Sequence, residues 1–438
     1  MKAIKIYKVG GAVLAESSGF YRFISLVKSE ISPAVFVISA LGLTTRELKN
    51  AALIAQDKDF NLAKTALEKI FKKHLKFVEK TIPNDLPLIK INFKPIKNKA
   101  LKLIRGIALT GFLSNKTLDA VLSIGEELAL AIISAHFNNN ENILIVDSSE
   151  LIVTDDNFNN ANPILEQCKA KIENYIPILK QNKRIITQGF VARSINGFIT
   201  TMGLESSNLT ATILADILNV YELRIQTNVA GIYHADPKKY DSTSLIKSMS
   251  YDFAKSSAMN GLKLIYGDMI DIAKKKSIKI IYESGLNSDN TGTIIEEIGE
   301  SDVPLIISQA NTSLIRIHFN SYNERKILID NLLNDTNNRS KVVYSALMED
   351  YVELIMNNSA TDLLSKFTAI EIYQSITLVK ILNSHNIPNI NYLIEKYKKL
   401  IISGLLFINS DNNIRLLIKD DNANNFINEI IELNYLTN

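Results

Sequence analysis

The chain has 438 residues, 46% of them apolar and 22% charged, with a formal net charge of +3. That length holds two or three domains with cores of their own, and the composition is that of an ordinary globular protein. The small, dispersed charge argues against a nucleic-acid partner, because pieces such as Lys72-Lys73 and Lys274-Lys275-Lys276 fall on patterns that read as solvated helix faces.

The single cysteine, Cys168, excludes an internal disulfide and fits a reducing compartment. Helix packing explains it better than nucleophilic chemistry. The opening residues Met1 to Gly11 form no signal-peptide core, since Lys2, Lys5 and Lys8 break the apolar run. No stretch reaches the roughly 18 to 20 apolar residues of a membrane helix. A cytoplasmic protein with no membrane partner is expected.

Up to about residue 297 the chain alternates strand and helix patterns. Ile4 to Val9 is a strand that enters the Gly10-Gly11 turn, and Ala34 to Ile38 is a continuous apolar run, the mark of a buried strand. Asn61 to Ile82 carries Leu67, Ile70, Phe71, Leu75 and Val78 at helical spacing. Asn142 to Asp147 and Arg184 to Gln188 read as short buried strands, Leu209 to Leu218 as a helix, and Leu223 to Thr227 and Ile278 to Tyr282 as strands. This alternation predicts an α/β fold with a largely parallel sheet covered on both faces.

Beyond Gly299 short strand patterns (Leu314 to Phe319, Val352 to Met356, Thr377 to Leu382, Ile414 to Ile418) interleave with helices such as Glu324 to Leu333 and Asn424 to Leu433. The expected division is 1–297 and 298–438, the latter as two α+β units over about 305–370 and 371–438. Asn334 to Arg339 reads as a turn-rich loop, and the scattered asparagines as composition bias.

Lys8-Val9-Gly10-Gly11 is the first chemical constellation. Glycine lets backbone N–H groups approach a phosphate, and a lysine stabilises a transferring phosphoryl group. It is not a Walker A loop, and alone it reads as a plain turn. Other motifs follow in order. They are Ser39-Ala40-Leu41-Gly42-Leu43-Thr44-Thr45-Arg46-Glu47-Leu48, Asp119 with Ser123-Ile124-Gly125-Glu126, Thr154 to Phe158, and Gln188-Gly189-Phe190. Then come Met202 to Ala211, Thr227 to Lys238, Lys263 within Gly261 to Ile265, and Gly292-Thr293. In order and spacing these resemble the motifs of aspartate kinases over nearly the whole of the first 297 residues.

The resemblance implies an amino-acid-kinase αβα sandwich followed by two ACT-like units, and a homodimer paired through the latter. It implies transfer of the ATP γ-phosphoryl group to the β-carboxylate of L-aspartate with Mg²⁺, the metal having no protein ligands of its own. By position, Lys8 and Asn208 would be catalytic. Lys8, Gly10, Gly11, Thr227, Asn228, Tyr233, Lys238 and Lys263 would hold ATP. Ser39, Thr45, Glu126 and Ser207 would hold the substrate, Glu126 against its ammonium. The five histidines (His74, His136, His234, His318, His385) form no metal or triad spacing and read as surface or helix residues.

The segment Met202 to Ala211 departs from the motif Leu-Gly-Arg-Gly-Gly-Ser-Asp. Leu204 stands for the arginine that would grip the α-carboxylate, unless Arg193 substitutes. Glu205 and Ser206 stand for two glycines, with Ser206 the costlier change if its position needs φ > 0. Asn208 and Asn228 stand for aspartates, Ser149 for an arginine, and Tyr266-Gly267 for His-Pro. Phe319 to Leu333 lack the Gly-Phe-Leu turn of feedback-regulated relatives, and Tyr344-Ser345-Ala346 stands where Thr-Ser-Glu is usual. Three functions fit this pattern: an aspartate kinase with impaired activity, an inactive homologue with a regulatory or scaffolding role, and a kinase of another carboxylate.

Overall fold

The computed structural model describes residues 3–287, 292–319, 321, 323, 326, 342–347, 351–357, 370–401 and 413–435. Apart from Lys326, the helix expected over Glu324 to Leu333 lies outside the described residues, as does the loop Asn334 to Arg339. Two compact units form: Met1–Ile232 with Leu245–Ser301, and Tyr233–Ser244 with Asp302–Asn438. The excursion of Tyr233–Ser244 into the second unit has no counterpart in a division near residue 297.

The first unit holds β1 (Lys5–Val9), β2 (Ala34–Ile38), β3 (Ile143–Val146), β4 (Val153–Thr154), β5 (Arg184–Gln188), β6 (Val191–Ser194), β7 (Ile199–Thr201), β8 (Glu222–Thr227), β9 (Ser248–Ser250), β10 (Lys279–Ser284) and β11 (Gly292–Glu296). Eight of these strands form one sheet in the order β3-β5-β2-β1-β8-β10-β11-β9, and β4, β6 and β7 form a small second sheet. Strands β3, β5, β2, β1, β8 and β10 run parallel, whereas β11 pairs antiparallel with β10.

Parallel strands are buried on both faces, which is why β2 is buried at every residue of its run Ala-Val-Phe-Val-Ile. Tyr7 stacks on Phe36 with ring centroids 5.0 Å apart, and Phe23 meets Phe36 edge-on at 6.1 Å. Between β2 and β3 the chain makes four helices, Thr44–Gln56, Phe60–Thr81, Leu86–Thr110 and Asn115–His136. Asp59 caps the second by accepting from the Leu62 N–H at 2.9 Å, and Ser114 caps the fourth by accepting from the Thr117 N–H at 3.1 Å. The third ends at Gly111 in the left-handed conformation, φ +67. Leu67, Ile70, Phe71 and Val78 of the second helix enter the core shared with β1 and β2.

The second unit is an antiparallel sheet in the order β13-β14-β12-β15-β16, with β12 (Leu305–His318), β13 (Val342–Leu347), β14 (Tyr351–Asn357), β15 (Ile370–Leu382) and β16 (Ile414–Lys419). Leu305 to Gln309 of β12 pair with Leu378 to Leu382 of β15, and Thr312 to Ile317 pair with the first half of β15 and with β14. The register shifts between the two halves, where Asn311 takes φ +56. Strand β12 thus pairs with strands from both sides of residue 370. Ile306 packs with Val379, Leu416, Ile418 and Phe426, while Ile315 and Ile317 pack with Val352 and Leu354.

Phe36 is fully buried in the central strand between two aromatic rings. Phe36→Ala should lower unfolding stability by about 3–5 kcal/mol in denaturant titration.

Candidate functional site

The chain runs from β1 to β2 on one side of the sheet and later returns to β8 on the other side of β1. Open α/β sheets open a crevice outside the carboxyl ends of the strands where the order reverses this way. The expected site residues collect at that edge. Lys8 is the penultimate residue of β1, on the face opposite Tyr7 and Val9. Gly10 and Gly11 follow it, Ser39 and Ala40 follow β2, Gly189 follows β5, and Thr227 closes β8.

Three glycines let these segments touch. A Cβ on Gly11 would stand 2.0 Å from the Ala40 carbonyl oxygen, and the Gly42 N–H donates to the Gly11 carbonyl at 2.9 Å. A Cβ on Gly189 would stand 2.6 Å from Ser207 Cα. A Cβ on Gly125 would stand 3.0 Å from that of Ala40. The helix Ser207–Ile217 thus starts against the end of β5, and the helix Asn115–His136 lies against the loop after β2. Ser39 Oγ donates to Ser207 Oγ at 3.1 Å. The Ala40 N–H donates to Glu126 Oε1 at 3.3 Å.

Lys8 is 6% exposed, and a Cβ on Gly10 would lie 3.8 Å from its Nζ. Burial pulls its pKa below the ordinary lysine value, and the Glu205 carboxylate pushes it back up. Glu126 is 3% exposed, in the middle of its helix rather than in the first turn. Its Oε2 is buried and has no hydrogen-bond partner among the described residues. Burial raises its pKa from 4.5 to about 8, against the pull of the Ala40 N–H.

Asn208 is 2% exposed. Its Nδ2 donates to the Leu264 carbonyl at 3.3 Å, which also accepts from Tyr282 Oη at 3.1 Å, and its Oδ1 has no partner among the described residues. An aspartate here would set a carboxylate oxygen against that carbonyl, so the neutral amide fits the surroundings better. Asp119 anchors the neighbouring backbone by accepting from the N–H of Asn159 and of Thr201 and from Thr201 Oγ1 at 2.6 Å. Tyr266 Oη donates to the Met202 carbonyl at 2.9 Å. Nothing in the sequence marked the Tyr266 and Tyr282 contacts.

Thr45 is half-buried in the first turn of Thr44–Gln56. Thr227 Oγ1 donates to the Val229 carbonyl at 2.7 Å, and Asn228 lines a cavity of about 410 Å³ with Ala12, Glu16, Gly42, Leu43 and Leu286. Lys263 is exposed on a turn. Tyr233 and Lys238 stand on the segment Tyr233–Ser244, which belongs to the second unit.

Two readings of the segment after Met202 change. The left-handed residue is Glu205, φ +68, whereas Ser206 is helical, φ −71, as the residue leading into the helix. The strain thus falls on Glu205 and not on Ser206. Arg193 is not a free replacement for the missing arginine, because it donates to the Gly197 carbonyl at 3.1 Å and to Ser149 Oγ at 3.2 Å. Leu204 is 61% exposed.

Residues 3–281 match the Amino acid kinase family. Aspartokinase of Chlamydia muridarum is 26% identical over 328 residues, 73% of this chain and 71% of that protein. Aspartokinase of Chlamydia pneumoniae is 24% identical over 298 residues, 68% of this chain and 63% of that protein. Escherichia coli aspartokinase III, solved in complex with aspartate and ADP, superposes with a TM-score of 0.78 at 20% identity, over 99% of this chain and 100% of that one. Clostridium acetobutylicum aspartate kinase gives a TM-score of 0.64 at 18% identity, over 99% and 100%. At those identities the two structures establish the fold, an amino-acid-kinase α/β sandwich with a C-terminal α+β region.

Two outcomes follow from the geometry. The folded chain binds a proton at Glu126 that the unfolded chain releases, so stability falls as pH rises from 4.5 toward 8. Glu126→Gln keeps the shape and removes the slope, and its melting temperature should gain on the native chain steadily across that range. Glu205→Gly should raise unfolding stability by about 1 kcal/mol, by relief of the left-handed backbone.

Proposed function

Because the chain belongs to the amino acid kinase family, we propose that it is an aspartate kinase, transferring the γ-phosphoryl group of ATP to the β-carboxylate of L-aspartate. The observation that carries this reading is the convergence of Lys8, Gly10, Gly11, Ser39, Glu126 and Ser207 on one edge of the sheet, tied by the Ser39–Ser207 and Ala40–Glu126 hydrogen bonds. Residues 1–297 would be the catalytic part and 298–438 the regulatory part, with the chain a cytoplasmic homodimer paired through ACT-like units.

Phosphoryl transfer depends on positioning and on charge stabilisation. The Lys8 ammonium would lie against the transferring group, with the Gly10 and Gly11 backbone and the positive end of Ser207–Ile217 beside it. Thr227, Asn228 and Lys263 would receive the rest of the nucleotide. Among the described residues no three His, Cys, Asp or Glu side chains form a metal cage. Mg²⁺ would enter as a partner of the ATP phosphates, whose charge it would offset. Ser39, Thr45, Ser207 and Glu126 would hold the amino acid. Its β-carboxylate is ionised at neutral pH, so a neutral Asn208 removes no required base.

An ammonium at the unpartnered Glu126 Oε2 would ionise that carboxyl, and binding would release a proton. The affinity for aspartate should accordingly tighten as pH rises toward 8. The exposed Leu204 favours a second reading, a kinase of another small carboxylate that needs no arginine clamp.

The test is trapping of the acyl phosphate as a hydroxamate with ATP, Mg²⁺ and high aspartate. Turnover should fall by ~10²-fold or more in Lys8→Ala. Glu126→Gln should raise the KM for aspartate ~10- to 100-fold and leave that for ATP unchanged. No turnover above a folded Lys8→Ala control would remove the reading. A thermal shift with another carboxylate but not with aspartate would select the second.

A further inference from the structure

Two segments of the first unit are joined by side chains. One runs from Met202 to Asn208, a loop and the first residues of the helix Ser207–Ile217. The other runs from Lys263 to Tyr266 and leads into the helix Gly267–Lys276. Tyr266 Oη donates to the Met202 carbonyl at 2.9 Å, and Asn208 Nδ2 donates to the Leu264 carbonyl at 3.3 Å. Each segment thus gives the other one side-chain donor and one carbonyl, so the contact is closed at both ends. An aspartate at position 208 is ionised at neutral pH and has no proton to donate, so the amide there is part of the closure. Tyr282 Oη, from β10, donates to the same Leu264 carbonyl at 3.1 Å and fixes that segment to the sheet. At Gly203, φ +89, a Cβ would stand 2.9 Å from Asn160 Oδ1 and 3.5 Å from Tyr266 Oη, so the loop backbone runs close against both groups. On the far side the Met202 N–H donates to the Phe190 carbonyl at 3.1 Å, and Asp119 holds Thr201.

Resting on the reading of Lys263 as a nucleotide contact and of Ser207 as an acceptor contact, we propose that Tyr266 is a positioning residue. Its hydroxyl, together with the Asn208 amide, passes the seating of a nucleotide at Lys263 to the loop that leads to Ser207. Lys263 stands on an exposed turn three residues before Tyr266, whereas Met202 is buried. A nucleotide drawn to Lys263 restrains that turn, and the two hydrogen bonds carry the restraint to Met202 and to the start of the helix. Order supplied by the first ligand does not have to be supplied by the second. The coupling is therefore reciprocal, and an acceptor held at Ser207 tightens the nucleotide in turn.

The experiment compares the native chain with Tyr266→Phe, which removes the hydroxyl and keeps the ring. Hydrogen exchange is read by peptide mass spectrometry, with and without a non-hydrolysable ATP analogue and Mg²⁺. The reporters are the N–H groups of Met202 and Ser206, which donate to the Phe190 and Gly203 carbonyls. Without ligand the variant should exchange ~3- to 10-fold faster over residues 202–206. Exchange over the buried strand Ala34–Ile38 should stay level, which separates a loosened loop from a loss of fold. The analogue should slow exchange over 202–206 in the native chain and have little effect there in the variant. The KM for aspartate should rise ~3- to 10-fold in the variant with kcat held. Equal exchange over 202–206 in the two unliganded proteins would overturn the proposal. So would an analogue that binds the native chain, by thermal shift, and leaves exchange over 202–206 unchanged. Faster exchange in the variant with no binding of the analogue to either protein would support the Tyr266–Met202 tie and would remove the nucleotide reading instead.

Discussion

The close approach of backbone to backbone at the carboxyl ends of β1, β2 and β5 is the constraint on which the rest of the first unit depends. Gly11 lies under the Ala40 carbonyl, Gly189 against Ser207 Cα, and Gly125 against the Ala40 methyl. A Cβ at the first two would have to displace main chain rather than the tip of a flexible side chain. The consequences run outward from there. The loop after β2 is pinned between β1 and the helix Asn115–His136, which lets the Ala40 N–H reach Glu126. The helix Ser207–Ile217 begins where its first serine can take the Ser39 hydroxyl. The polar site is a product of close packing.

The electrostatics of that site follow from its burial. Lys8 and Glu126 carry opposite charges, yet each is pushed toward its neutral form by the same cause, loss of water. Neither charge is cheap to keep until a group of opposite sign pairs with it. A phosphate would do this for Lys8 and an ammonium for Glu126, so binding and ionisation become one event. A third buried charge at position 208 would add a further desolvation cost, and the structure has instead an amide there with a carbonyl to receive it. Glu126 Oε2, Ser206 Oγ and Asn208 Oδ1 are among the buried polar atoms that have no hydrogen-bond partner among the described residues.

The sequence was most legible where a run of residues is buried on both sides. Ala34–Ile38 and Arg184–Gln188 were read to the residue, because polar neighbours bound each apolar run. Short edge elements were not legible. Strands β4 and β9 have two and three residues, too few for any period to show. The helix Leu86–Thr110 contains Pro95, a residue that ordinarily argues for a break. At the site, Lys8, Ser39, Glu126 and Ser207 were identifiable because motif spacing carries them. Tyr282 and Tyr266 were not, because a hydroxyl that reaches a backbone carbonyl leaves no pattern in the chain. Nor could the letters say which of residues 205 and 206 takes the positive φ. That is decided by where the helix begins, and Ser206 already has helical dihedrals one residue ahead of it.

The segment Met202 to Ala211 therefore divides into two functional halves. Its second half is buried and ordered by contacts that remain intact: Ser207 to Ser39, Asn208 to Leu264, and the helix that follows. That half faces the phosphoryl side of the proposed reaction. Its first half is exposed, carries the strained Glu205 and ends the grip that an arginine at 204 would have given a carboxylate. Arg193, on β6, is engaged by Ser149 and Gly197. On the proposed reading, a chain altered in this way would keep the groups that stabilise phosphoryl transfer and lose part of what selects the acceptor. On that reading, its departures from the motif would bear on which carboxylate it takes, and how tightly, before they bear on whether it can hold and activate a nucleotide.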